Sequence, residues 1–344
     1  MTEALNGHMK VWVDIATPPQ ALFFCPIVTR TKKYGHVVVI TTRDFSQTAA
    51  LADQLGFSHI TIGHHGGDSL LGKGWVILKR ALSLAAFARQ HEFDLAVSHN
   101  SYAQVLAASF LRLPCATMMD YEHQPANHLA FRLADKLIVP EAFPDESLRR
   151  FGVSERCVER YAGVKEDIYL ADFTPTSHFM EERGLPPDKV IATVRPPATM
   201  ATYHNFENPL FERVVDYLLD HSEVFMVFLP RVPEQERRFR ERQWDRVLIP
   251  QDAIDGPNLI YHSDLVISGG GTMNREAAVL GTPAYTVFKG PMAAVDRYLI
   301  ESGRLQLVAE QEDISKISIQ KKQRQTLDIG KPHLLDEIVD MILS

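Results

Sequence analysis

Short apolar runs rich in β-branched residues alternate with longer stretches whose apolar positions recur at helical spacing, and this rhythm organises the first half of the chain. Lys10-Val-Trp-Val-Asp-Ile15 reads as a buried first strand, stopped by Pro18 and Pro19. The pattern then predicts a helix over 21–34, a strand over 36–41, a helix over 47–55 and a strand over 59–62. A glycine-rich loop follows, then a long helix over 75–91, a strand over 95–98, a helix over 103–111 and strands over 115–119 and 136–139. Alternation of this kind is the mark of a parallel sheet covered by helices on both faces. Between Tyr161 and Lys189 the rhythm breaks into Gly163, Pro175, Gly184, Pro186 and Pro187, which is linker chemistry.

A second half resumes with strand candidates at 190–194, 224–229, 247–249, 265–268 and 284–288, and a final helix is expected over 333–343. The expected layout is a domain over 9–165, a linker over 166–188, a second domain over 189–325 and a closing segment over 326–344. No internal repeat is present, only two similar architectures in tandem. A chain of 344 residues exceeds one ordinary core, in keeping with two domains.

Bulk chemistry narrows the function classes. Hydrophobic residues make up 45% and charged residues 23%, the balance of a globular protein, and no apolar stretch approaches the roughly 18 residues of a spanning helix. A net charge of -7 argues against a nucleic-acid partner, which needs clustered surplus Lys and Arg. Cys25, Cys115 and Cys157 lie far apart with no CxxC spacing, so neither a zinc cage nor a disulfide framework is expected, and a reducing, cytoplasmic setting fits.

The most informative segment runs from His262 to Pro283, where the run Leu265–Ser268 meets Gly269-Gly270-Gly271 and then a helix from Thr272. Glycines let backbone approach a phosphate, and the free amides and dipole of a helix start favour negative charge. Glu276 lies four residues beyond Thr272 on the same helical face, where it can accept hydrogen bonds from a ribose diol. Asn274 and Arg275 share this first turn. Arg195 at a strand end, His204 and Arg231 are further candidates to neutralise a diphosphate without a metal. Asp296 is placed to reach sugar hydroxyls or to cap a helix.

In the first half, Asp120, Glu122 and His123 fall just past a strand's carboxyl end, where open α/β sheets take ligands, and are the best general-base candidates. Gly67 to Lys73 fits GxxxxGK, but Gly74 occupies the place of the Ser or Thr that would hold Mg²⁺, which argues against a nucleotide-hydrolysing P-loop. Leu70, Leu71, Trp75, Val76, Ile77 and Leu78, interspersed with Lys73, Lys79 and Arg80, fit either buried helix packing or peripheral contact with an anionic membrane. Buried packing explains them with less assumption.

Residues Asp264 to Pro283 resemble the nucleotide-binding helix of GT-B enzymes, including UDP-N-acetylglucosamine 2-epimerases and the transferase that forms lipid II. Val11-Trp-Val-Asp-Ile15 with Pro18-Pro19, His65 to Gly72, and Gly270 to Glu276 resemble an uncharacterised prokaryotic family described as predicted glycosyltransferases, over about Lys10 to Gly303. That resemblance implies a GT-B fold: α/β, two Rossmann-like doubly wound parallel-sheet domains facing across a cleft. It implies an acceptor bound by the first half, with Asp14, Gln20, Gly66, Gly67, Ser69 and Asn100 on that side. The nucleotide goes to the second half, with Gly270 to Thr272 on the phosphates and Glu276 on the ribose. Glu122 matches a catalytic glutamate of the epimerases, yet Asn100 stands where their pattern has Asp, and Pro125-Ala-Asn127 replaces their later paired glutamates. His204 to Asn208 resembles their His-Arg-x-Glu-Asn turn, one residue longer and with the Arg displaced.

The resulting expectation is a metal-independent glycosyltransferase of cell-surface polysaccharide biosynthesis that uses a nucleotide diphosphate sugar, UDP-linked, without a cofactor. A non-hydrolysing 2-epimerase or nucleotide-sugar hydrolase is the alternative, and a non-catalytic nucleotide-sugar-binding protein the third. A lipid-linked acceptor at the inner membrane face is left open.

Overall fold

The structure is a computed structural model that describes residues 7–45, 48–64, 70–197, 209–242, 244–252, 254–323 and 332–344. The chain divides into two compact units: the residues up to Tyr169 with 293–295 and the final helix, and the residues from Leu170 to Met292 with 296–330.

The first unit runs β1 (Lys10–Ile15), α1 (Pro18–Lys33), β2 (Val37–Asp44), α2 (Thr48–Gln54), β3 (His59–His64), α3 (Leu70–Ala88), β4 (Leu95–Ser98), α4 (Tyr102–Leu111), β5 (Cys115–Met118), α5 (Asn127–Leu133), β6 (Lys136–Pro140), α6 (Asp145–Phe151), β7 (Val158–Tyr161) and α7 (Lys165–Tyr169). Its seven strands are all parallel, in the order β3-β2-β1-β4-β5-β6-β7. Both faces are buried because side chains alternate along each strand. Val11, Val13 and Ile15 join one core cluster, while Trp12 between them joins the other.

Strand β1 ends at Ile15, before Pro18 and Pro19 as expected, and the two prolines open α1, three residues earlier than the expected start at 21. The missing amide and fixed φ of proline suit the first helical turn, where the N–H has no partner inside the helix. Gln20 completes that start, its Oε1 accepting from the Ala16 amide at 2.7 Å and the Thr17 amide at 3.2 Å. Strand β7 escaped the pattern because Val158-Glu-Arg-Tyr161 mixes charges into a half-buried edge, where only one residue is buried.

The second unit runs α8 (Phe179–Glu182), β8 (Val190–Arg195), α9 (Pro209–Asp220), β9 (Val224–Phe228), α10 (Pro233–Glu241), β10 (Val247–Leu248), α11 (Gly256–His262), β11 (Leu265–Ser268), α12 (Thr272–Val279), β12 (Ala284–Thr286), α13 (Ala294–Glu301), whose first two residues group with the first unit, and β13 (Gln306–Leu307). Its six parallel strands follow the order β10-β9-β8-β11-β12-β13. Val190, Ala192 and Val194 of β8 face one cluster and Ile191 the other, the same two-sided burial as in β1.

The last element, α14 (Pro332–Leu343), belongs to the first unit. Leu334, Leu335, Ile338, Val339, Ile342 and Leu343 bury against the same cluster as Val11, Phe24 and Ile40. In each sheet the connections run outward in opposite directions from one central pair, β1 with β4 and β8 with β11. The carboxyl ends of such a pair form the crevice where open α/β sheets take ligands.

Candidate functional site

In the second unit the reversal point is flanked by Arg195, the last residue of β8, and Ser268, the last of β11, which are register partners. The turn after Ser268 is glycine for steric reasons at every position. A Cβ on Gly269 would lie 2.4 Å from the Pro197 Cα, and the Gly269 amide donates to the Arg195 carbonyl at 3.1 Å. Gly270 and Gly271 have φ of 101° and 90°, backbone that other residues rarely adopt. Gly271 caps α12 and has open space above it. Among the described residues no protein group accepts from the amides of Gly270, Gly271 or Thr272. Three donors without a described acceptor and a helix start thus follow one another directly after β11, the chemistry of an anion cradle.

Two cations flank that turn. Burial lowers the pKa of Arg195, while the Glu276 carboxylate opposes the shift, so Glu276 and Arg195 are electrostatic neighbours. Arg195 Nε has no hydrogen-bond partner among the described residues. Arg231 donates from Nε to the Pro196 carbonyl at 2.7 Å. Burial first, and then repulsion from Arg195, push its pKa down to about 10. Two half-buried guanidinium groups that repel each other are a site short of negative charge.

The other candidates on α12 look inward. Asn274 is buried and donates to the Ser268 carbonyl at 3.4 Å, bracing the turn from below. Arg275 forms a two-pronged pair with Asp296, Nε to Oδ1 at 2.7 Å and Nη2 to Oδ2 at 3.1 Å, and both side chains are largely buried. Asp296 therefore fastens α13 to α12 in this structure.

The first unit gathers a second cluster at the carboxyl ends of β4 and β5. The Asp120 carboxylate accepts from Lys165 Nζ at 2.7 Å and lies 3.6 Å from His99 Nε2, with Glu166 Oε1 3.9 Å from the same ammonium. Glu122 Oε1 accepts from the Ala294 amide of the same unit at 2.8 Å and lies 3.4 Å from His123 Nε2. His123 keeps 31% of its side chain exposed against 2% for Glu122, so His123 is the more accessible of the two. Lys165, Glu166 and His99 did not stand out in the sequence. Lys165 closes the stretch read as the first domain and Glu166 opens the one read as linker, and only the sheet brings them to Asp120.

Asn100 has φ of 59° and donates from Nδ2 to the Tyr102 hydroxyl at 2.7 Å and to Asn127 Oδ1 at 3.3 Å. Burial pushes the Tyr102 phenol up to about 12, so it stays protonated. Gln20 Nε2 donates to the His99 carbonyl at 2.6 Å, tying the start of α1 to the loop after β4. Asp14 is fully buried and accepts from both terminal nitrogens of Arg80 at 2.8 Å, from Ser101 at 2.5 Å and from Thr41 at 2.6 Å. It is a fastening under the crevice floor. Gly66, Gly67, Ser69 and His204 lie outside the described residues. Among the described residues no group of three or more His, Cys, Asp or Glu side chains is placed to hold a metal ion.

A family model described as "Protein of unknown function (DUF354)" matches residues 9–344, which is nearly the whole chain. The chain belongs to the DUF354 family. Among curated proteins this DUF354 member is 28% identical to the uncharacterized protein MJ0665 of Methanocaldococcus jannaschii over 304 residues, 87% of each chain. Among solved structures it is similar to MnaA of S. aureus in complex with UDP, with a TM-score of 0.73 and 16% identity over 97% of this chain and 96% of that one. The UDP-GlcNAc 2-epimerase of M. jannaschii gives 0.72 and 15% over 97% and 99%. The glycotransferase of kitacinnamycin gives 0.61 and 12% over 98% and 95%. At such identities the likeness establishes fold: this DUF354 protein has two parallel-sheet α/β domains of the GT-B type.

Proposed function

We propose that this DUF354 protein is a glycosyltransferase that moves a sugar from a nucleoside diphosphate sugar to an acceptor hydroxyl. The observation that carries the reading is the glycine turn at the β8/β11 reversal, whose amides have no protein acceptor among the described residues and are flanked by Arg195 and Arg231. A diphosphate supplies the negative charge that this arrangement lacks. Arg195, Arg231 and the α12 start stabilise the departing diphosphate, a task that other enzymes give to a divalent cation. Glu276 accepts from the ribose. A uridine nucleotide is favoured because solved relatives of this fold hold UDP or UDP-GlcNAc.

In the first unit Asp120 is engaged by Lys165, which makes it a weak proton acceptor, whereas His123 is accessible and lies beside Glu122. His123 takes the proton as the acceptor oxygen bonds to the anomeric carbon. The bond from that carbon to the diphosphate breaks, and the diphosphate leaves with the electron pair. Glu122 stabilises the imidazolium that results.

The second reading is a non-hydrolysing 2-epimerase, favoured by the correspondence of Glu122 and by the fold likeness. Its pattern carries carboxylates that this chain lacks, since Asn100 stands where the epimerases have Asp and Pro125-Ala-Asn127 replaces their later paired glutamates. A UDP-sugar incubated alone separates the two: an epimer in the product mixture refutes the transferase reading, whereas turnover only with an added acceptor supports it. Calorimetry with UDP tests the nucleotide site directly. Glu276→Ala should weaken UDP binding about tenfold or more, and His123→Asn should leave UDP affinity unchanged while cutting turnover by roughly 100-fold. Activity should survive EDTA.

A further inference from the structure

We infer that the outer face of α3 docks on an anionic lipid surface. Three of the chain's exposed large apolar side chains stand on this one helix, Trp75 at 67%, Leu78 at 37% and Leu82 at 56%. Their spacing of three and four residues puts them on a single stripe, beside the face that buries Ala81, Leu84, Ala85 and Ala88. From the sequence, buried packing explained Trp75 and Leu78 with less assumption than membrane contact did, and both side chains are instead exposed.

The charge around the stripe selects the partner. The chain is acidic overall, yet no Asp or Glu occurs from Ser69 to His91, while Lys73, Lys79, Arg80 and Arg89 do. Arg80 is spent internally on Asp14, and Lys79 and Arg89 are exposed. Apolar side chains led by a tryptophan and accompanied by cations, without any carboxylate, match a bilayer interface that carries anionic headgroups. A neutral or basic protein partner would not select against carboxylates in this way.

The attachment is rigid. Arg80 of α3 donates to the Ile62 and Thr42 carbonyls at the ends of β3 and β2, to Asp14 of β1 and to Ser101, the cap of α4. Gly63, at φ of 86°, leaves room for that side chain, since a Cβ there would lie 3.0 Å from it. Because α3 follows β3, its first turns lie at the carboxyl edge of the sheet, the edge that carries Asp120 and His123. A lipid surface under Trp75 and Leu78 would therefore flank that cluster. The docking itself does not depend on the reaction proposed above.

The test uses the full chain and vesicles of phosphatidylcholine with or without phosphatidylglycerol, read by co-flotation and by tryptophan emission. Of the three tryptophans, Trp12 is fully buried and Trp244 half-buried, so a blue shift on mixing reports Trp75. Expected are flotation and a blue shift with the anionic vesicles only, suppressed by high salt. Trp75→Ser combined with Leu82→Ser should lower vesicle affinity about tenfold or more with the thermal midpoint unchanged, because both side chains are exposed. Lys79→Glu should weaken binding to anionic vesicles with the tryptophan intact, which keeps the question decidable if the double variant folds poorly. Absence of flotation, equal flotation with neutral vesicles, or undiminished binding by the double variant overturns the proposal. So does a wild-type dimer in sedimentation that the double variant abolishes, since the stripe would then belong to a second copy of the chain.

Discussion

Gly269 illustrates how little freedom single positions have at the nucleotide turn. Its missing Cβ is required by backbone, the Pro197 Cα, so no rotamer change can relieve a substitution. Gly269→Ala should destabilise the second unit by about 1–3 kcal/mol in urea denaturation and weaken UDP binding in the same protein. The arginines make a different prediction. Arg231 loses its proton near pH 10 instead of at its ordinary value of 12.5, chiefly because burial penalises the charged form. Its attraction for an anion is therefore complete below about pH 10 and fades above it. UDP affinity should fall by up to about tenfold per pH unit beyond that point, and Arg231→Ala should be weaker at neutral pH but lack this fall. Calorimetry across pH 8 to 11 in both proteins checks the sign. The sequence marked the glycines, Arg195 and Arg231. It could not distinguish Asp14, which the fold buries under Arg80, from an accessible carboxylate, because an Asp at a strand end reads the same either way.

Element by element, the apolar rhythm located most strands and helices of the sheets. It was weakest where an element is half-buried or short, as in β7 and β13, because an edge with little burial leaves no apolar signature. Packing between elements was not legible at all. Helix α12 and helix α13 are joined by Arg275 and Asp296, twenty-one residues apart in sequence. Removing one partner of such a buried pair leaves an uncompensated charge, so Arg275→Met should cost about 3–5 kcal/mol of stability. Arg275→Met with Asp296→Leu should recover most of it, since two apolar groups of similar volume need no partner. A double-mutant cycle in denaturant measures the coupling, and additive losses would show that the pair does not act as one unit.

At the scale of the whole molecule, the chain leaves its first unit after Tyr169 and returns to it through α14. Ile338 is fully buried in the cluster that also contains Val11, Phe24 and Ile40. Ile338→Ala should cost about 2–5 kcal/mol, and deleting residues 332–344 should leave the first unit unable to fold cooperatively, as read by denaturation and limited proteolysis.

Local patterning alone was enough to specify a parallel α/β architecture in two halves, and the glycine turn before Thr272, because strand and helix periods and glycine's freedom are properties of neighbouring residues. The meeting of Lys165 and His99 with Asp120, the exposure of Trp75, the burial of Asp14 and the return of α14 were settled only by the folded sheets. Those outcomes depend on which residues distant in sequence compete for the same buried space, and no local pattern records that competition.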